Sequence, residues 1–477
     1  MVMRSRVLGS VGVCAAVVLG AGGVSPAAVA APVGGSAGAA DFNGDGYPDL
    51  AVGAHTATLD GVKRAGAVTI AYGSASGLRY ETASVVGQGT PGVPGDPVED
   101  GKWREVSGFG DLDGDGNDDL VVRWVEKNVV LWGSEDGITG AGTALPPGSY
   151  RPESPKLLGG GFGVGDVNGD GVDDYVSRAA DGSSYGVTAL LGPLDRVTGA
   201  SAGVWYRDTA KEDKFLLSTA YVGDVTGDGV DDIVAGGGVV LGNGKAGGAV
   251  FTGSRGGLVK GAPFKGPYRH DSHYPSAFGD LNGDGYQDLV TGYPSLDQVY
   301  VTYGGPDGAS STLASRAYTQ ASAGVPGVQE DGDRFGSSVA VGDTDQDGFA
   351  DVVIGASYET GSDVTATAGS GAVTVLRGSA SGITTEGAKV FTQNSAGVPS
   401  TSEENDHFGA AAVVSDTDRD GRPEVYVGGN GEDGFKGRVF RLATGAGGVT
   451  GAGATSFHLG TLGGPAGGGN FGYRMAG

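Results

Sequence analysis

One nine-residue acidic pattern recurs seven times along this 477-residue chain. An array of like units constrains the fold before any local reading does. The copies are DFNGDGYPD from Asp41, DLDGDGNDD from Asp111, DVNGDGVDD from Asp166, DVTGDGVDD from Asp224, DLNGDGYQD from Asp280, DTDQDGFAD from Asp343 and DTDRDGRPE from Asp416. Their starts lie 70, 55, 58, 56, 63 and 73 residues apart. Each copy therefore marks one supersecondary unit rather than one turn in a continuous domain.

Short apolar runs follow the copies at once: LAVGA after Asp49, LVVRW after Asp119, VVIGA after Asp351 and VYVGG after Glu424. A second run follows ten to twenty residues on, as in GAVTIAYG (66–73) and GAVTVLRG (371–378). Period-2 patterning bounded by glycine predicts strands, and no stretch carries a helical period. Another strand precedes the acidic loop, opening with Phe335-Gly336 or Phe408-Gly409, each eight residues ahead of its first aspartate, with Trp103 in the same place before Asp111. The first repeat lacks that strand. Phe471-Gly472-Tyr473-Arg474-Met475-Ala476-Gly477 supplies a match to Phe335–Val341 at the other end of the chain. Radial four-stranded sheets need such a stitch, because an open ring leaves exposed edges. The expectation is an all-β fold, a seven-bladed β-propeller over 41–477, closed by the C-terminal strand.

The acidic loops carry the chemistry. A hard cation such as calcium takes six to eight oxygens, and side chains at positions 1, 3 and 5 of a tight loop converge on one point. A backbone carbonyl at 7 adds a further ligand, glycine at 6 permits the sharp turn, and a carboxylate at 9 closes the site. The predicted ligands are Asp41, Asn43, Asp45, Tyr47 (carbonyl) and Asp49 in the first loop, and Asp111, Asp113, Asp115, Asn117 and Asp119 in the second. Asp166, Asn168, Asp170, Val172 and Asp174 form the third, and Asp224, Thr226, Asp228, Val230 and Asp232 the fourth. The fifth uses Asp280, Asn282, Asp284, Tyr286 and Asp288, and the sixth Asp343, Asp345, Asp347, Phe349 and Asp351. Asp416, Asp418, Asp420, Arg422 and Glu424 complete the set, for up to seven calcium ions. An EF-hand is excluded, since its twelfth position should be Glu and is Val52 or Val122 here. A single copy would pass as an ordinary acidic turn; seven copies with carboxylates at fixed positions do not. Thr226 in the fourth loop and Arg419 and Arg422 in the seventh predict the two weakest sites.

Net charge is −25, and 24 carboxylates sit at loop positions 1, 3, 5 and 9. Such acidity argues against nucleic acid as a partner. Residues 1–30 read as a secretory signal: Arg4 and Arg6, the apolar stretch 7–20, then Ala28-Val29-Ala30. Its removal takes away Cys14, the only cysteine, so the secreted chain relies on burial, closure and metal rather than disulfides. Residues 31–40 read as a flexible leader, and no later stretch predicts a transmembrane anchor.

The run from Phe335 to Ala356, with Phe-Gly, then Gly-Asp-x-Asp-x-Asp-Gly-x-x-Asp and Val-Val-Ile-Gly-Ala, resembles the FG-GAP repeat of integrin α-subunit propellers and of many secreted bacterial proteins. The resemblance covers 41–477 and is weakest in the third and fourth repeats, which lack Phe-Gly at the expected place. It implies a seven-bladed propeller, calcium between the first two strands of a blade, and a role in adhesion or ligand binding.

The loops entering each blade share a face with those joining its second and third strands, opposite the metal loops. The entering loops include 89–103, 322–335 and 395–408; the other set carries His55, Lys63, Arg64, Trp124, Lys127, Tyr293 and Tyr358. Arg269-His270-Asp271-Ser272-His273-Tyr274 is the one cluster with acid–base potential. No Gly-x-Ser-x-Gly, HExxH or phosphate-cradling motif accompanies it. The expected function is a non-catalytic extracellular binding or adhesion module for a protein or glycan, the alternative being a propeller lyase or hydrolase.

Overall fold

A computed structural model describes residues 38–101, 103–124, 127–145, 156–181, 184–239, 247–263, 274–360, 368–465 and 467–477. The predicted signal sequence (1–30), most of the predicted leader (31–40) and the histidine cluster 269–273 lie outside these residues. Seven four-stranded antiparallel sheets account for nearly all the regular structure. Blade six shows the pattern: Phe335–Gly342, Asp351–Ala356, Ala372–Arg377 and Thr384–Phe391 in consecutive order. In blade one the chain supplies three strands, Leu50–Ala54, Ala67–Tyr72 and Arg79–Val86, and Met475–Ala476 adds the fourth by pairing with Val52 and Ala51. The propeller and its tail-to-head closure are as the repeat pattern predicts. Among the described residues no helix is long and apolar enough to cross a membrane.

The hydrophobic core is divided into seven clusters, one at each junction between neighbouring blades. Between blades six and seven, for example, Val353, Val373 and Phe391 meet Phe408, Val425 and Phe440. Both faces of a middle strand are thus covered, which is why Asp351–Ala356 and Glu424–Gly429 are buried at every residue and read as continuous apolar runs. The outermost strand, such as Thr384–Phe391, has a solvated face and edge.

Phe-Gly is a blade-to-blade joint. Phe335, Phe408 and Phe471 are fully buried, and the glycines after them have φ of +92°, +92° and +84°. A Cβ at Gly292, Gly355 or Gly428 of one blade would lie 2.0–2.1 Å from the carbonyl oxygen of Gly336, Gly409 or Gly472 of the next. Two glycines are needed at each such joint, one for its backbone angle and one for clearance. Gly355→Ala should accordingly cost about 1–3 kcal/mol in urea melts. Gly445→Ala, where a Cβ meets nothing within 4 Å, should stay within about 0.5 kcal/mol of the parent. Equal effects would remove the joint.

Innermost strands of all seven blades line a central channel of about 310 Å³, including Val106–Phe109, Val339–Val341 and Met475–Gly477. The acidic loops leave these strands at one end of the channel. On that rim the backbone carbonyls of Asp41, Asp111, Asp166, Asp224 and Asp280 each accept an amide from position 8 of the next blade's loop. Pro48 and Pro423 occupy that position at the two remaining junctions and have no N–H to give.

Candidate metal loops and the opposite rim

In each loop the first aspartate organises the turn. Asp111 accepts the amides of Gly114, Asp115 and Gly116 at 2.7–3.0 Å, and Asp280 those of Gly283, Asp284 and Gly285 at 2.6–3.2 Å. Glycine at position 6 has positive φ in all seven copies, from Gly46 (+86°) to Gly421 (+84°). Three loops bring carboxylate oxygens within 4.8 Å of one another: Asp111, Asp113 and Asp115; Asp343, Asp345 and Asp347; and Asp416, Asp418 and Glu424. Asp41 Oδ1 and Asp345 Oδ1 are buried without a hydrogen-bond donor. Such a donor set of hard, converging oxygens fits a divalent cation.

Position 9 has a further role that the motif alone does not reveal. Asp49 accepts the Phe42 amide on one oxygen (2.8 Å) and the Gly73 amide on the other (2.9 Å). Asp288 does the same with Leu281 (3.0 Å) and Gly304 (2.8 Å), so the carboxylate ties the loop to the end of the blade's third strand. Asp119, Asp174, Asp232 and Asp351 repeat the arrangement with Gly133, Gly192, Gly253 and Gly378. Those strand-end glycines are obligatory, since a Cβ at Gly133 would fall 2.2 Å from the Asp118 carbonyl oxygen. In the seventh blade Thr444 replaces the glycine and Glu424 the aspartate, and Thr417 and Arg441 take up the longer carboxylate. Burial pushes Asp49, Asp119, Asp174 and Asp288 up to about 8, Asp232 to about 7 and Asp351 to about 6. Replacing Asp288 by alanine strands two buried amides, each costing about 1–3 kcal/mol. In chelator this variant should lose at least ~2 kcal/mol, whereas Asp284→Ala, at an exposed position 5, should lose well under half of that. Equal losses would deny position 9 its structural part.

Beyond Arg419 and Arg422, four arginines pair with loop carboxylates. Arg79 pairs with Asp45 at 2.8 Å, Arg196 with Asp113 and Asp115, Arg377 with Asp345 and Arg441 with Glu424. Arg79, Arg196 and Arg377 come from a strand end or hairpin 32 or more residues from the aspartates they pair with, and Arg441 from within the strand Arg438–Ala443, so no local pattern signals them. Among the described residues, the carboxylates at positions 1, 3, 5 and 9 of the third, fourth and fifth loops make no such pair.

At the other end of the channel the two sets of loops converge as expected. Tyr358 stacks on His407 with centroids 4.6 Å apart, Tyr293 packs on Tyr274 at 4.5 Å, and His55 meets Tyr473 at 4.4 Å. Arg64 is turned away into an exposed pair with Asp100. Of the histidine cluster only Tyr274 is described, buried against blade five.

The FG-GAP repeat family matches residues 33–70, 276–313 and 335–376, which lie in blades one, five and six. The chain carries FG-GAP repeats. Its relatives include integrin alpha-V of Gallus gallus, 31% identical over 245 residues, which make up 47% of this chain and 21% of that one. Integrin alpha pat-2 of Caenorhabditis briggsae is 29% identical over 273 residues, 49% of this chain and 21% of the relative. This FG-GAP propeller thus matches about a fifth of the length of these relatives. Among solved structures it is similar to one described as "Structure of Dos1 propeller", at 13% identity and a TM-score of 0.38, covering 78% of this chain and 85% of that one. The seven blades rest on strand pairing and need no support from that likeness.

Proposed function

We propose that this FG-GAP propeller is a secreted, calcium-loaded binding module without catalytic activity, presenting an extracellular protein or glycan ligand site on the rim opposite its metal loops. The observation that carries the reading is the division of labour between the rims. One rim commits its carboxylates to converging loops with orphaned oxygens at Asp41 and Asp345. The other gathers aromatic, histidine and arginine side chains from successive blades around the channel mouth. Rigid scaffolds commonly display function on such loops. Likeness to integrin α chains supports binding rather than turnover.

Calcium would be held by positions 1, 3 and 5 with the carbonyl at 7, and it would cross-link each loop. Position 9 would reach the ion only while still holding its two amides. An array of extracellular glycans and proteins, probed with the full chain in calcium and in chelator, tests the proposal. Selective binding that weakens in chelator is the expected result. Absence of any binding, or turnover of polysaccharides or esters lost in His270→Ala/His273→Ala, would overturn it.

A further inference from the structure

On the rim away from the metal loops, blades five, six, seven and one enclose a cavity of about 300 Å³. Among the described residues its wall includes Arg334, Arg474 and His407 and no carboxylate. In a chain of net charge −25, two arginines beside an imidazole, with no acid among the described lining residues, are unexpected on composition. Among the described residues neither arginine makes an ion pair. Asp297, the carboxylate bonded nearest to Arg334, already accepts the backbone amides of Gly332 and Arg334 itself.

Aromatic rings hold these groups in place. Arg334 lies over Tyr358, 3.9 Å from its centroid, and Arg474 over Tyr473 at 5.2 Å. A guanidinium stacked by its face keeps its in-plane N–H donors for an oxyanion. His407 is 9% exposed, its Nε2 has no hydrogen-bond partner, and it lines the same cavity. Arg334 and His407 occupy equivalent places, each just before a Phe-Gly; their φ of 59° and 55° is shared by Asn470 (55°) before Phe471-Gly472 and belongs to the blade joint.

We infer that this cavity binds a single acidic sugar residue, with Arg334 and Arg474 gripping its carboxylate. The inference rests on the binding-module reading and names its ligand class. Ser295, Ser357 and Asn430 line the same wall and suit ring hydroxyls. The volume lies at the small end of ligand pockets, about 300–1,000 Å³, enough for one ring and not for an extended segment. The surrounding negative charge opposes a dense polyanion, so the carboxylate is an isolated, terminal one.

Calorimetry on the full chain in calcium tests this with methyl β-glucuronide and a methyl sialoside as probes. Methyl β-glucoside serves as the neutral ring, and N-acetylglutamate methylamide as the acidic side chain of a peptide. At least one sugar acid should bind, and the glucoside should bind about tenfold more weakly or worse than the glucuronide or sialoside. Arg334→Ala/Arg474→Ala should lose about tenfold or more, and Arg334→Lys should fall between, keeping charge without the planar fork. Both arginines are at least partly exposed, and unchanged melting curves would establish that the variants fold. Undiminished binding in the double variant, an equally tight glucoside, binding of the glutamate derivative alone, or no binding of either sugar acid would overturn the inference. Array ligands that bind the double variant as well as the parent would leave the binding-module reading standing without this site.

Discussion

Removing Phe471–Gly477 should abolish the single sharp melting transition of this propeller. The lost segment does three jobs at once. Phe471 is fully buried between blades seven and one and meets Phe457 edge-on at 5.9 Å. Arg474 accepts the Gly53 amide at 2.9 Å, and the Gly472 amide reaches Gly53 at 3.2 Å. Met475 and Ala476 complete the four-stranded sheet of blade one. Truncating a buried phenylalanine alone costs about 3–5 kcal/mol, comparable with the lower range of whole-domain stability, about 5–15 kcal/mol. Phe471→Ala should therefore lower the melting temperature while keeping one transition. The deletion should broaden or split it, because blade one is left with an open inner edge. A truncated chain melting as sharply and as hot as its parent would mean that the ring does not depend on this stitch.

Calcium withdrawal should have the second largest effect, and its size should depend on pH. Six buried position-9 aspartates have folded pKa values of about 6 to 8, against 3.8 when unperturbed. A raised folded value means that folding favours the protonated acid. That contribution is complete below about pH 4, declines as pH rises through the window from 4 to 8, and is gone above it. In chelator the protein should thus be more stable at pH 5 than at pH 8. The fall should amount to several kcal/mol, at about 1.4 kcal/mol per pKa unit for each group before mutual repulsion and relaxation are counted. Bound calcium favours the ionised loops, so the melting curve in millimolar calcium should not fall over this window. A site with a dissociation constant of about 10 µM adds about 2.7 kcal/mol in millimolar calcium, and several such sites rival the stability of the fold. Differential scanning at pH 5 and pH 8, with and without chelator, measures both. A stability gap between calcium and chelator that is no larger at pH 8 than at pH 5 would contradict the account.

Closure was legible in the chain because Phe471-Gly472 repeats a pattern whose partner strand is missing before Asp41. The blades were legible because the acidic loops set their frame even in the third and fourth, where Phe-Gly is absent from the expected place. Partition of the core among seven junctions explains why middle strands such as Asp351–Ala356 read as unbroken apolar runs. The second duty of Asp49 and its counterparts was hidden, because the Gly73 amide lies 24 residues away and the motif shows only a carboxylate. Arg196 was hidden for the same reason, since only the packing of blades two and three brings it to Asp113. The arginine-lined cavity was beyond reach because Arg334, His407 and Arg474 come from three different blades, and Arg474 stands after its Phe-Gly whereas the other two stand just before theirs.

Pro48 and Pro423 have a mechanical consequence. Five position-8 amides join consecutive sectors on the acidic-loop side, and both junctions that lack one flank sector seven, where the Ser74 amide on the Thr417 carbonyl (3.1 Å) still links it to sector one. That rim is a hoop thinned at two points, so a load applied at the far mouth should find its softest give there. Sector seven also bears His407, which places the compliant segment beneath the cationic pocket.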